Sequence, residues 1–334
     1  MFSKPTKPYY LSLMKLVFAG SLLYWMSYSG KLDFSALHSF WGDPLFVFMT
    51  VFVWLFTTVL GAVRWWLLLT GTGYDQRFMR VFQLHLSGVF FNTAMPGAVG
   101  GDLVKATYVY LDEPQHGKTH AMTSVLIDRV LGLLGLFSIC GIVMLYNIGF
   151  IMSEPALSTL ALPVFGLFVF AVGFLLFVAN GLNTVPLIRC WLDKRLIGYS
   201  LVKKVLDSFE KLKGCKERIV WGLLLSVFIQ GSFLLYFWRV SIMVLDFDID
   251  LTLLSLVFPI GILITVIPLA PGGLGVGHLA FNSLFAVIGL ENGATIFNIY
   301  ILSLLVLNLC SGIAYLFVKS RKVDINPGSE ATEA

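Results

Sequence analysis

The chain has 334 residues, of which 57% are hydrophobic, 15% aromatic and only 13% charged, and its net charge is +4. Soluble domains carry about 25% charged residues and need polar cover over their surface. These proportions exclude a soluble enzyme, a disordered chain and a disulfide scaffold, and they predict an all-α polytopic integral membrane protein.

A membrane-crossing helix needs about 20 apolar residues. In chain order such stretches fall at roughly residues 9–28, 44–70, 119–147, 156–180, 218–244 and 294–318, which makes about six full spans. The first has a basic start, Lys4 and Lys7, but no small-x-small cleavage site before Lys31, so it is expected to be a retained span and not a signal peptide. Two further apolar stretches, 78–111 and 251–289, are each interrupted by proline and glycine: FFNTAMPGAVGGDLVKA at 90–106 and IPLAPGGLGVGHLAF at 267–281. Both residue types break helices. Open backbone at membrane depth is tolerated only inside protein or along a cavity. Each stretch therefore predicts a re-entrant helical hairpin, with Pro96, Gly97, Gly100 and Gly101 at one tip and Pro271, Gly272, Gly273 and Gly275 at the other.

The basic residues orient this layout. With both termini in the cytoplasm, eighteen of the 23 lysines and arginines lie on the inner side, and Lys31 is the one in an outer loop. The outer loops carry Asp33, Asp43, Glu154, Asp246, Asp248, Asp250 and Glu291 instead. That asymmetry follows the positive-inside rule. The halves 44–147 and 218–318 then run in opposite senses, each holding one hairpin, as in the inverted repeats of transporters. Between them, residues 186–213 predict a basic amphipathic helix on the inner leaflet, which serves equally as a lipid contact or a topology anchor. Residues 1–322 read as one transmembrane domain, and 323–334 as a polar, disordered tail.

Charges within a membrane cost about 2.5–3.5 kcal/mol on insertion scales, so each needs a reason. Asp128 and Arg129 are adjacent on one span and point about 100° apart, towards different partners. Arg64, before Trp65 and Trp66, either acts at a site or snorkels to the interface. Arg239 is open to the same snorkelling reading. Asp102 and Lys105 follow the first tip three residues apart. Asp102 is placed either to cap the returning half-helix or to contact an ion or head group, and Asn92 offers an amide at similar depth. His278, just after the second tip, is either a packing residue or a proton carrier. His38, His85, His116 and His120 form no metal spacing, and Cys140, Cys190, Cys215 and Cys310 form no redox or zinc motif. No nucleophile triad or phosphate-binding loop occurs, so no metal, cofactor or catalytic activity is expected.

Arg64-Trp65, Asn92 with Pro96-Gly97-x-x-Gly100-Gly101-Asp102-x-x-Lys105, Asp128-Arg129 and Pro271-Gly272-Gly273-Leu274-Gly275-Val276 occur in this order. In that combination the chain resembles the lysylphosphatidylglycerol synthase transmembrane region family, also called flippase-like domain proteins, over almost its whole length. The resemblance implies a polytopic domain with re-entrant helices that moves aminoacylated phosphatidylglycerol between leaflets. In the bifunctional relatives a separate soluble domain makes that lipid; no such domain is expected here. Many relatives carry glutamate where this chain has His278. The resulting expectation is a lipid translocase of the bacterial cytoplasmic (inner) membrane. Asn92, Asp102, Lys105, Asp128, Arg129, Arg64 and His278 would line a polar cavity between the two hairpins, and membrane lipids, anionic phospholipids or lipid-linked head groups, would be its partners. Two alternatives stand beside it: an accessory subunit or enzyme of glycolipid or lipid-linked sugar synthesis, and an ion-coupled small-solute transporter.

Overall fold

A computed structural model describes residues 41–94, 100–153, 155–180, 216–265 and 275–318. The expected span at 9–28, the amphipathic helix at 186–213, the tail at 323–334 and the tip residues Pro96, Gly97, Pro271, Gly272 and Gly273 lie outside the described residues.

The first described helix, α1 (Pro44–Gly71), starts where Asp43 accepts a hydrogen bond from the Leu45 N–H at 2.9 Å and proline occupies the first turn. Its hydroxyls stay satisfied inside the apolar run, because Thr50 donates to the Phe46 carbonyl at 2.8 Å and Thr57 to that of Val53 at 2.7 Å. Two short helices follow, α2 (Phe78–Ala94) and α3 (Gly100–Asp112), and then the long α4 (Lys118–Tyr146). The chain then runs through α5 (Ile148–Ser153) and α6 (Pro155–Asn180), and α6 packs on α4. The order then recurs: long α7 (Lys216–Leu245), short α8 (Leu251–Thr265), short α9 (Val276–Val287), and α10 (Gly293–Cys310) continued by α11 (Gly312–Phe317). The described residues contain no strand.

Four of these segments are long and apolar enough to cross a membrane: 44–71, 118–146, 217–245 and 293–317. They match four of the expected spans. The fifth expectation, 156–180, falls on α6, a 26-residue helix. The two interrupted stretches do form pairs of short helices, α2 with α3 and α8 with α9, each pair packed side by side.

Helix α4 is the hub. It packs on α1, α3, α6, α7 and α8, and 61% of its apolar stretch is buried, against 33–39% in the other three. Lipid offers no hydrophobic drive between helices, so close packing depends on small residues. Gly135 is one: a methyl group there would stand 2.5 Å from the Ser226 side chain of α7. In the second half Phe237 gathers Phe258, Phe281, Phe285 and Tyr300 around it, with ring centroids 5.1–6.2 Å apart. Tyr236 joins the halves by hydroxyl bonds, 2.7 Å to Thr50 of α1 and 2.8 Å to Ser303 of α10.

The α2–α3 hairpin is tied at its open end. Arg80 donates two hydrogen bonds to Asp112, at 2.7 and 2.9 Å, and Gln76 donates to Glu113. Tyr74 donates to the Gly117 carbonyl at 3.0 Å. Burial, with Glu113 adding, pushes its phenol up to about 12 and so keeps it a neutral donor. Near the tip, Gly88 and Gly101 bring the two backbones together. A Cβ on Gly101 would lie 1.9 Å from the Gly88 carbonyl oxygen. Gly101→Ala must therefore part the helices. It is expected to lower stability by about 1–3 kcal/mol or more, as overpacking does, read as a lower melting temperature of the detergent-purified protein; an unchanged melting curve would contradict the contact.

Candidate functional site

Three basic side chains and two carboxylates from three helices meet beside this hairpin. Arg64 of α1 is buried, and its Nε donates to Asp128 Oδ1 of α4 at 2.7 Å. One terminal nitrogen donates to Ser226 of α7 at 2.9 Å. Lys105 of α3 stands 3.9 Å from the other Asp128 oxygen, and its ammonium lies 4.8 Å from the centre of the Trp65 ring. Its stem runs over Gly88, where a Cβ would come within 2.7 Å of it. Arg129 pairs with Asp102. Thus Asp128 and Arg129 do face different partners. The snorkelling alternative for Arg64 fails, because a carboxylate and a hydroxyl hold it inside the bundle.

Asp102 is not the group that caps Gly101. The Gly101 N–H at the start of α3 donates to Asn92 Oδ1 at 2.9 Å, so the cap comes across the hairpin from α2. Asp102 is left to Arg129. The second hairpin solves the same problem differently. At the start of α9, Gly275 (φ 85°) donates to His278 Nδ1 at 3.2 Å, and His278 Nε2 lies 3.2 Å from Asn298 Oδ1 of α10. Because Nδ1 accepts, the neutral ring carries its proton on Nε2 and donates to Asn298. The returning helix of each hairpin is thus tied through its first turn to the long helix after it, by an ion pair in one half and by neutral groups in the other.

Between the halves lies a cavity of about 320 Å³. Its wall comes from α1 (Trp54, Thr57, Thr58, Gly61, Arg64), α2 (His85, Val89, Asn92, Thr93), α7 (Ile229, Gln230, Phe233) and α10 (Leu304, Asn308). Among the described residues this wall is formed by one hairpin helix and three long helices; of the nominated residues that are described, Arg64 and Asn92 line it. Asp102, Lys105, Asp128, Arg129 and His278 do not. Asp128 stands behind Arg64 and holds it, with Lys105 on its other oxygen.

His85, Gln230, Asn308 and Ser226 were not among the sequence candidates. Gln230, Asn308 and Ser226 carry no charge, and His85 has no metal-ligand spacing. The available signal was any strong hydrogen-bonding group inside an apolar run. It was sharpened by the helical repeats 57-61-64 on α1 and 85-92 on α2, which put each set on one face. Among the described residues no cluster of histidine, cysteine, aspartate or glutamate could hold a metal ion.

Residues 12–324 match the family described as the lysylphosphatidylglycerol synthase TM region. The chain belongs to that family. It is 22% identical over 274 residues to a UPF0104 membrane protein of Pyrococcus horikoshii, covering 76% of this chain and 80% of that protein. It is 25% identical over 253 residues to a UPF0104 membrane protein of Methanothermobacter thermautotrophicus, covering 70% and 72%. No solved structure matches it. With four apolar helices of spanning length, it is an integral membrane protein.

Removing one member of a buried ion pair strands its partner, at a cost of about 3–5 kcal/mol. Asp128→Asn is therefore expected to destabilise the protein by that order. Combining it with Arg64→Gln should recover much of the loss in a double-mutant thermal cycle; simple additivity would show that the two side chains act independently.

Proposed function

We propose that this protein is a lipid translocase, which carries a phospholipid or lipid-linked head group across the bilayer while the acyl chains stay in lipid. The observation that carries the reading is the cavity between the halves. It holds an arginine, a histidine and three amides inside helices whose outer faces expose Phe48, Phe52, Trp221 and Phe228, an apolar surface suited to lipid. Polar groups at that depth are expensive, and they mark paths for polar substrates. Family membership adds weight, because the family's description names a lipid synthase's transmembrane region.

The repeated long–short–short–long order supports an inverted repeat, with both termini on the cytoplasmic side of the cytoplasmic membrane. In this reading the two halves rock about the cavity. The Asp102–Arg129 and His278–Asn298 ties keep each hairpin moving with the long helix that follows it. Transport rather than catalysis is assigned: the cavity wall holds no nucleophile paired with a base.

The test is leaflet exchange of fluorescent phospholipids in liposomes. Vesicles with the native chain should exchange lipid faster than empty ones, and Asn92→Leu and Gln230→Leu, which remove polar wall groups, should slow exchange about tenfold or more at equal protein incorporation, in proportion to a lost polar contact of about 1.4 kcal/mol or more. Exchange no faster than in empty vesicles, for anionic, zwitterionic and sugar-linked lipids alike, would overturn the reading.

A further inference from the structure

We propose that the cavity is a phosphate subsite, in which Arg64, His85, Asn92 and Asn308 take the oxygens of a phosphate ester; this rests on the translocase reading and names the group that it handles. The argument starts from what each wall residue has left to offer. Asn92 uses its side-chain oxygen to accept from the Gly101 N–H, and Asn308 uses its own to accept from the Trp54 indole N–H at 3.0 Å. Both donors are N–H groups, so the accepting atom must be the amide oxygen, and the two NH2 groups remain. Arg64 spends Nε on Asp128 and one terminal nitrogen on Ser226; among the described residues its second terminal nitrogen has no acceptor.

His85 completes the set. It is 8% exposed, and its Nδ1 is buried with no hydrogen-bond partner. Burying an orphan N–H costs more than burying a bare nitrogen that has already lost its water, so the proton belongs on Nε2. That nitrogen lies over Gly61, also on the cavity wall, where a Cβ would come within 2.9 Å of it. The wall thus offers N–H donors from α1, α2 and α10; among the described residues its one ionic side chain is a cation and no carboxylate lines it. A phosphate ester brings negative charge and several acceptor oxygens, and arginine's planar fork suits it. A cationic ligand would face the Arg64 charge, and a neutral hydroxylated one would leave it without a counter-charge in the cavity.

The experiment uses the full chain in dodecyl maltoside, which contains no phosphate, and follows tryptophan fluorescence, since Trp54 lines the cavity. The probes are dihexanoyl phosphatidylglycerol, glycerol 3-phosphate, inorganic phosphate and phosphate-free dihexanoylglycerol. Phosphate-bearing probes should bind saturably and dihexanoylglycerol should not. His85→Phe and Arg64→Lys should each weaken binding about tenfold, as loss of a charge-assisted or buried hydrogen bond does. His85→Phe removes no protein hydrogen bond, so its ligand-free melting temperature should hold. Tighter binding of the lipid than of glycerol 3-phosphate or phosphate assigns the site to a head group; equal binding assigns it to free phosphate, and both support the subsite. Binding of dihexanoylglycerol as tight as that of phosphatidylglycerol, or affinity unchanged in both variants, overturns it. Variant-sensitive binding without leaflet exchange would remove the translocase reading and leave the subsite standing; exchange with binding blind to phosphate would do the reverse.

Discussion

A guanidinium inside a membrane protein needs a counter-charge held in good geometry, and much of this architecture follows from meeting that need. Arg64 is buried, so Asp128 is brought to it; Ser226 accepts from the guanidinium and Lys105 stands beside the carboxylate. These contacts bind α1, α3, α4 and α7 at one point. In a low dielectric the attraction is large, but so is the cost of stripping both ions of water. The pair therefore contributes less to net stability than to uniqueness: any packing that separates the two is strongly disfavoured. Arg64 is held at the edge of the cavity with part of its donor capacity unspent.

The broken helix imposes the second constraint. Where α2 gives way to α3, backbone N–H groups lose their helical partners, and lipid supplies none. The Asn92 amide crosses the hairpin to satisfy Gly101, and it can do so because Gly88 and Gly101 lack side chains and let the backbones touch. The same approach presses the Lys105 stem over Gly88 and delivers its ammonium to Asp128. One pair of glycines thus serves the cap, the hairpin and the ionic cluster together.

The sequence showed four of the spans and the two pairs of short helices because both are one-dimensional signals: long apolar runs, and the prolines and glycines that interrupt them. It also showed that Asp128 and Arg129 part ways, since neighbours on a helix must. It left Arg64 and Asp102 ambiguous, because snorkelling against pairing and capping against bridging depend on what lies across the bundle. The cavity was least legible. Thr57, His85, Gln230 and Asn308 are far apart along the chain, and none carries a permanent charge. Their meaning comes from convergence, and convergence depends on which helix faces touch. The described part of the second hairpin packs its aromatic face against α7 and α10.

The two halves divide the labour. The repeated element order suggests equal halves, yet the chemistry is unequal. The first half ties its returning helix with Asp102 and Arg129, sets Arg64 in the cavity wall and buries Lys105 and Asp128 behind it. The second ties its own with His278 and Asn298 and packs phenylalanines around Phe237. Ion pairs depend steeply on distance and on water, so a half that holds them is sensitive to what enters beside it. A core of interlocked aromatic rings is not, and it keeps its shape. The two are joined where Ser311 donates to the Leu86 carbonyl at 3.0 Å and where Tyr236 bridges Thr50 and Ser303. A charged ligand in the cavity would act first on Arg64 and its partners. The aromatic half would serve as the frame against which they move.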